Sequence, residues 1–95
     1  IDKDGMLHNE FKLQFLDMIK QGVDLRTIRK FVADSNFTDY TELYRFLYDE
    51  VENISVEKLP EIVVDISNGS YQDVLVVDKE INFIATISNI LRRLQ

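Results

Sequence analysis

Few side chains in this sequence are suited to catalysis. The 95 residues include one histidine, His8, and no cysteine, which excludes thiolate nucleophiles, disulfides, thiolate zinc sites and multi-histidine metal sites. His8 stands beside Asn9 and Glu10 on the polar side of a predicted helix, where we expect a solvated imidazole rather than a general base. The neighbouring carboxylates of Asp49 and Glu50 would need a cleft between them to hydrolyse a glycoside, and adjacent residues on one helix end do not form one.

Nucleotide and calcium motifs are missing as well. Gly5, Gly22 and Gly69 are isolated from one another, so no glycine-rich loop can hold a phosphate. Residues 2–5 match the start of a calcium loop, but the glutamate required at its twelfth position is absent. We therefore predict no catalytic residues, no cofactor or cofactor-binding residues and no metal ligands, and we expect this chain not to be an enzyme.

The charge of the chain is unevenly distributed. The net charge is −6, and residues 34–65 alone carry nine acidic and two basic side chains. A small basic cluster precedes that acidic segment, at Arg26, Arg29 and Lys30. A nucleic-acid-binding module needs a basic face, because phosphate contacts supply most of its affinity. The composition instead indicates a folded globular domain, 45% hydrophobic, whose acidic segment is a solvated face.

The elements that position these side chains start with two amphipathic helices. Apolar residues at helical spacing predict the first helix over residues 6–21, with Gly22 as its C-terminal stop. Asp24 can cap a second helix, which ends near the polar residues 34–36.

A third predicted helix carries a core stripe and a tyrosine stripe. Thr38 or Asp39 caps it, and its core stripe is expected to comprise Leu43, Tyr44, Leu47 and Val51. Tyr40, Tyr44 and Tyr48 follow one another at four-residue intervals. These tyrosines either fringe the core with their hydroxyls in water or form a protein–protein contact, in which tyrosine is enriched.

The segment after Ser55 fits two interpretations. Valine-rich runs on either side of residues 68–69 predict a β-hairpin over 61–78. Apolar residues at i, i+3, i+4 and i+7 equally predict a fourth helix, capped by Ser55, stopped by Gly69 and delayed or kinked by Pro60. We favour the helix and keep the hairpin as the alternative.

The last helix is predicted to be long. Its apolar spacing continues from residue 74 to residue 94 and runs without a break through residues 79–82, where Ile81 is part of the stripe. Further apolar residues lie off this stripe, at Leu75, Val76, Phe83 and Ile90. A helix that is apolar around much of its circumference is central in a bundle or covered by a partner. The predicted fold is therefore all-α, a compact five-helix bundle, and these four residues join the three tyrosines as candidates for a subunit interface.

The helix order and three segments together resemble a known family of domains. The segments are residues 19–31 (IKQGVDLRTIRKF), 38–48 (TDYTELYRFLY) and 79–87 (KEINFIATI). With a short basic helix before an aromatic one and a polar start to the final helix, the chain resembles the C-terminal collar domain of clamp-loader ATPase subunits. Within that family it resembles the ATPase subunits of T-even-type phage clamp loaders and, beyond them, the small subunits of replication factor C. The resemblance covers residues 7–95.

This resemblance implies an all-helical oligomerisation domain that packs beside its counterparts in a pentameric ring. The ring of such proteins holds AAA+ ATPase modules that open a sliding clamp and place it on primed DNA. Their nucleotide-binding motifs lie in N-terminal modules, and none is present here. The chain would then be a fragment of a DNA polymerase accessory protein. Its partners would be the other clamp-loader subunits, and it would reach the sliding clamp and DNA only through the parent protein.

The remaining expectations concern boundaries, location and rival functions. Residues 1–5 are expected to be a linker or an expression remnant, and residues 6–95 the collar domain. No apolar run approaches the ~20 residues of a membrane span and no signal peptide is evident, so we expect a cytoplasmic protein, in the host cytoplasm if phage-encoded, with no membrane partner. Two alternatives stay open: a small acidic regulator that mimics DNA, and a helix-turn-helix DNA-binding module over residues 24–50, whose second helix is acidic.

Overall fold

The computed structural model describes the backbone of residues 3–95 and the side chains of residues 9–95. Within that range the chain forms six helices and no strand. The helices are α1 (Lys3–Gln21), α2 (Leu25–Asp34), α3 (Tyr40–Asp49), α4 (Val51–Ile54), α5 (Leu59–Asp73) and α6 (Lys79–Leu94). The all-α prediction is confirmed, and the hairpin alternative over 61–78 is wrong. Residues 1–2 lie outside the described residues, so the linker at 1–5 stays a prediction, although α1 begins three residues before the predicted start.

Local signals account for the first two helices. Gly22 adopts φ +73°, and the next amide, Val23 N–H, donates to Met18 O at 3.0 Å, which closes the C-terminus of α1 as predicted. Asp24 precedes α2 in an extended conformation, as predicted for an N-cap residue. Its carboxylate accepts from Thr27 Oγ1 at 2.6 Å and makes no hydrogen bond to a backbone amide of the helix.

The third predicted helix is divided in two. Asp39 caps α3 by accepting from Glu42 N–H at 3.1 Å, as the capping-box spacing predicted. The chain then bends at Glu50, whose N–H bonds to Phe46 O, and the short helix α4 follows. Val51 and Ile54 on α4 are buried, so this short helix also contributes to the core. This extra helix accounts for six helices where the sequence predicted five.

Helix α5 begins at Leu59, which is the delayed start predicted for Pro60, but it ends later than predicted. Pro60 lies in its first turn, which tolerates proline because the first amides of a helix have no intrahelical partner. The helix does not stop at Gly69. It continues one further turn to Asp73, and Gly69 is a buried position within it.

The predicted long final helix is interrupted. Residues 74–78 connect α5 to α6, which has 16 residues and begins at Lys79. Asp78 caps the new helix by accepting from Ile81 N–H at 3.0 Å. The apolar spacing over residues 74–94 was misleading because its first members, Val74 and Val77, are exposed rather than part of the core stripe.

The core is aromatic at its centre. Phe83 on α6 is fully buried, and its ring centroid lies 5.6 Å from that of Phe15, 5.3 Å from that of Tyr40 and 5.4 Å from that of Tyr44. These contacts join α1, α3 and α6, while Ile62 and Ile66 extend the same core along α5. Rings at such separations add to the free energy gained from burying their surface. The core therefore belongs to the whole domain rather than to any pair of helices.

Candidate interaction surface

Two of the three stripe tyrosines are core residues. Tyr40 and Tyr44 are buried, and both rings pack on Phe83. Burial raises the pKa of Tyr44 above its ordinary value, with the nearby charge of Asp73 as a smaller contribution in the same direction. The assignment of Tyr40 and Tyr44 as interface candidates is therefore corrected. The domain's own helices cover their side chains, and neither is available to a partner in this fold.

The hydroxyl of Tyr44 belongs to a buried polar seam between α5 and α6. The Asn82 amide donates to Tyr44 Oη and to Gly69 O, both at 2.9 Å, and Thr86 Oγ1 donates to Asn82 O at 3.1 Å. A Cβ at Gly69 would lie 2.2 Å from Thr86 Oγ1 and 2.8 Å from a Tyr44 ring carbon. Only a glycine at position 69 allows α6 to approach α5 this closely. The seam therefore aligns the two helices that form the exposed corner described below.

Two of the four candidates on the last segment are also core residues. Phe83 and Ile90 are fully buried, because the face of α6 predicted to be surplus is the face that packs inside the domain. Both are therefore corrected as interface candidates. Three of the seven candidates keep accessible surface: Tyr48 and Leu75 are exposed, and Val76 is half-buried.

Tyr48 lines a shallow groove between α3, α4 and α5. The Arg45 guanidinium lies 5.4 Å from the centre of its ring, and Arg45 also forms a 3.1 Å ion pair with Asp49. Val63 of α5 lines the other side of the groove. The aromatic face is thus already in contact with a cation of the same helix.

The largest concentration of exposed apolar side chains lies at the corner between α5 and α6. Five residues there are at least 66% exposed, and we name them the junction patch: Tyr71, Val74, Leu75, Val77 and Ile81. Sequence reasoning selected Leu75 and missed the other four, since it assigned Val74, Val77 and Ile81 to a buried stripe. An N-cap signal, the aspartate at position 78 just before Lys79 and Glu80, could have revealed the corner.

Hydrogen bonds hold this corner in place. The amides of Leu75 and Val76 both donate to Gln72 O, which closes the end of α5. Lys79 Nζ donates to Asp73 O and lies 3.4 Å from Asp73 Oδ2. The apolar side chains are therefore presented from a fixed backbone, so their exposure is not explained by a loose loop.

Carboxylates stand beside the junction patch. The charges of Glu80 and Asp78 raise the pKa of Tyr40, after the larger effect of its burial, so both carboxylates lie near the start of α3. Asp39, the N-cap of α3, lies at the same helix terminus. The corner thus combines an apolar surface with negative charge.

The acidic segment is largely exposed but partly neutralised. Asp65 is its one buried carboxylate, and both of its oxygens accept from Arg93 at 3.1 Å. Hydrogen bonding and attraction to Asp65 raise the pKa of Arg93. Four of the segment's nine carboxylates are in ion pairs: Lys30–Asp34, Lys12–Glu42, Arg45–Asp49 and Arg93–Asp65. This pairing reduces the negative charge that a basic partner would meet.

Three further points concern metal ions, His8 and the membrane. Among the described residues, no cluster of three or more His, Asp or Glu side chains could hold a metal ion. The predicted solvated state of His8 falls outside the side chains that the structure describes. No helix within residues 3–95 is both long enough and apolar enough to span a membrane.

The chain was compared with protein-family models, with curated proteins and with solved structures. None of the three comparisons found a match.

Proposed function

We propose that this chain is an assembly domain that joins the subunits of a larger complex, as a collar domain does in a sliding-clamp loader. The observation that carries the proposal is the junction patch. Single exposed apolar residues are common on protein surfaces, but five large ones at one corner mark a contact surface. Burying a valine or leucine side chain contributes about 1.5–3 kcal/mol, so this corner can supply much of a specific contact.

The resemblance to clamp-loader collar domains supports the choice of complex. Segments 19–31, 38–48 and 79–87 carry that resemblance, and the all-α fold agrees with what it implies. On this proposal the partners are the other subunits of the loader, and the domain acts in the cytoplasm, that of the host if the gene belongs to a phage. The ATPase and its DNA contacts belong to the parent protein. The DNA-mimic and helix-turn-helix alternatives gain no specific observation from the fold.

The test uses the gene product in which residues 1–95 occur. The native protein and the double variant Leu75→Ser/Val77→Ser are purified, and the mass of each assembly is measured by light scattering. We expect the native protein to form a multi-subunit complex and the variant to fall to smaller species. Val56→Ser is the matched control, because Val56 is 75% exposed but lies before α5, at the opposite end from the junction patch.

Two results would count against the proposal. An assembly that keeps its mass in the junction variant would exclude the patch as the subunit contact. A purified assembly whose ATPase activity does not respond to a sliding clamp and primed DNA would exclude the clamp loader, even if the patch proved to be the contact.

A further inference from the structure

The charged side chains next to the junction patch in the chain are mainly negative. Between residues 71 and 81, Asp73, Asp78 and Glu80 are negative and Lys79 is the one positive side chain. Lys79 is directed towards α5, where it bonds to Asp73. A molecule approaching the patch therefore meets aliphatic and tyrosine side chains next to the carboxylates of Asp78 and Glu80.

This charge disfavours pairing of the patch with itself. A twofold contact between two copies would place each patch against the same patch of its partner. Two surfaces that each carry the carboxylates of Asp78 and Glu80 would then come together while losing water, and like charges in a contact are costly. A complementary surface combines large apolar side chains with lysine or arginine, as in an amphipathic basic helix.

We propose, building on the assembly function above, that the junction patch binds an apolar segment flanked by basic residues on a partner subunit. The apolar side chains of that segment would cover Leu75, Val77 and their neighbours. Its lysines or arginines would face Asp78 and Glu80. The contact is therefore between two different surfaces rather than between two copies of the patch.

The test offers the chain two helical peptides of equal length, each with leucines on one face. One peptide carries lysines on its other face and the second carries glutamates. Binding is measured by fluorescence anisotropy and located by amide chemical-shift changes in the labelled chain. We expect the lysine peptide to bind, with shifts concentrated at residues 71–81, and the glutamate peptide to bind at least about tenfold more weakly.

A matched pair of charge variants tests whether the lysine peptide is attracted by the carboxylates at the patch or by the net negative charge of the whole domain. Asp78→Asn/Glu80→Gln removes two charges at the patch, and asparagine keeps an oxygen that can cap α6. Glu52→Gln/Glu57→Gln removes two exposed charges at the other end of α5, about 20 Å away and beyond the screening length in physiological salt. We expect the first variant to weaken binding of the lysine peptide about three- to tenfold. The second should change it less than about twofold.

The apolar contribution has its own variant. Leu75→Ser/Val77→Ser is expected to weaken peptide binding by about tenfold or more, because both side chains would lose apolar contact. Equal binding of the two peptides, or equal losses in the two charge variants, would overturn the inference. So would a dimer of the isolated chain that Val77→Ser dissociates, because the occupant would then be a second copy.

These outcomes are distinct from failure of the assembly function. If the parent complex depends on Leu75 and Val77 while the lysine peptide does not bind, only the chemistry assigned to the partner is wrong. If the complex is indifferent to those residues, the assembly function itself is wrong.

Discussion

The aromatic core and the junction patch use the same kinds of residue to opposite effect. Phe83 and Ile81 are two positions apart at the start of α6, yet Phe83 is fully buried and Ile81 is 68% exposed. Phe83 packs against α1 and α3, whereas Ile81 lies with the patch at the corner. The comparison teaches that one helix turn has two different faces here: its inner face holds the domain together, and its outer face stays exposed.

Replacing Phe83 by alanine tests the inner face and has the largest expected effect. Phe83→Ala should lower the free energy of unfolding by about 3–5 kcal/mol, because it leaves a cavity among Phe15, Tyr40 and Tyr44. Urea denaturation followed by circular dichroism measures it. Ile81→Ala is the control on the same helix and should change stability by less than about 0.5 kcal/mol. Similar losses of stability in both variants would refute the distinction between the inner and outer faces of α6.

A methyl group at Gly69 tests the seam between α5 and α6. Gly69→Ala should destabilise the domain by about 1–3 kcal/mol, because the new Cβ would meet Thr86 and Tyr44 at less than contact distance. The same change at an exposed helical glycine would stabilise it by about 1 kcal/mol. Thermal denaturation shows whether Gly69→Ala lowers or raises the stability of the domain. Adding Thr86→Ala should recover part of the lost stability. A more stable Gly69→Ala variant would mean that the helices are less closely packed.

High pH should lower the stability of the fold, because the inner face of α6 packs against two buried tyrosines. The raised pKa values of Tyr40 and Tyr44 favour the protonated hydroxyl in the folded state. Their contribution is complete below the ordinary tyrosine pKa of about 10 and is lost as the pH rises through the folded values. Above pH ~10 the free energy of unfolding should therefore fall, by at most about 1.4 kcal/mol per pH unit for each tyrosine. Urea unfolding across this range measures the slope.

Two tyrosine variants show whether this slope comes from the core. Tyr44→Phe should make the slope shallower, because one buried hydroxyl no longer ionises. Tyr71→Phe removes an exposed hydroxyl of the junction patch and serves as the control. If Tyr71→Phe altered the slope as much as Tyr44→Phe, the core tyrosines would not be its source.

Serine at the junction patch should have the smallest effect on stability. Leu75→Ser and Val77→Ser each remove exposed apolar surface, so the free energy of unfolding of the isolated chain should change by less than about 0.5 kcal/mol. The variants would then reduce assembly without unfolding the domain. A loss above about 1 kcal/mol in urea denaturation would show that the patch contributes to the fold.

Local signals in the sequence predicted some of the helix ends. The stop at Gly22, the cap at Asp39 and the delayed start at Pro60 depend on nearby backbone, and each was predicted from sequence. The bend at Glu50 was missed because Val51 fits both the stripe of α3 and a separate turn. Gly69 was taken for a stop, because its contact with Thr86 involves a segment distant in the chain.

The candidate surface was harder to predict than the helices. Phe83 and Ile90 were interface candidates because they lie off the predicted stripe of the last helix, yet both are buried in the core. Tyr44 was predicted both in the core stripe and as an interface candidate, and it is buried. Leu75 alone of the junction patch was selected, because the periodicity that linked Val74 and Val77 to α6 concealed the corner. The spacing of apolar residues along a helix shows which of its faces are apolar. It does not show how many of those faces the domain itself buries.

The sequence by itself determined that this protein lacks cysteine chemistry and starts or stops several helices at particular residues, and it favoured an all-α fold while a hairpin over 61–78 stayed open. These properties depend on side-chain chemistry and on hydrogen bonds within a few positions. Only the tertiary structure decided that Phe83 is covered and Val77 is not, because burial depends on which helices pack together. Gly69, Asn82 and Tyr44 contribute to that packing through contacts between residues far apart in the chain, and the corner between α5 and α6 remains exposed outside it.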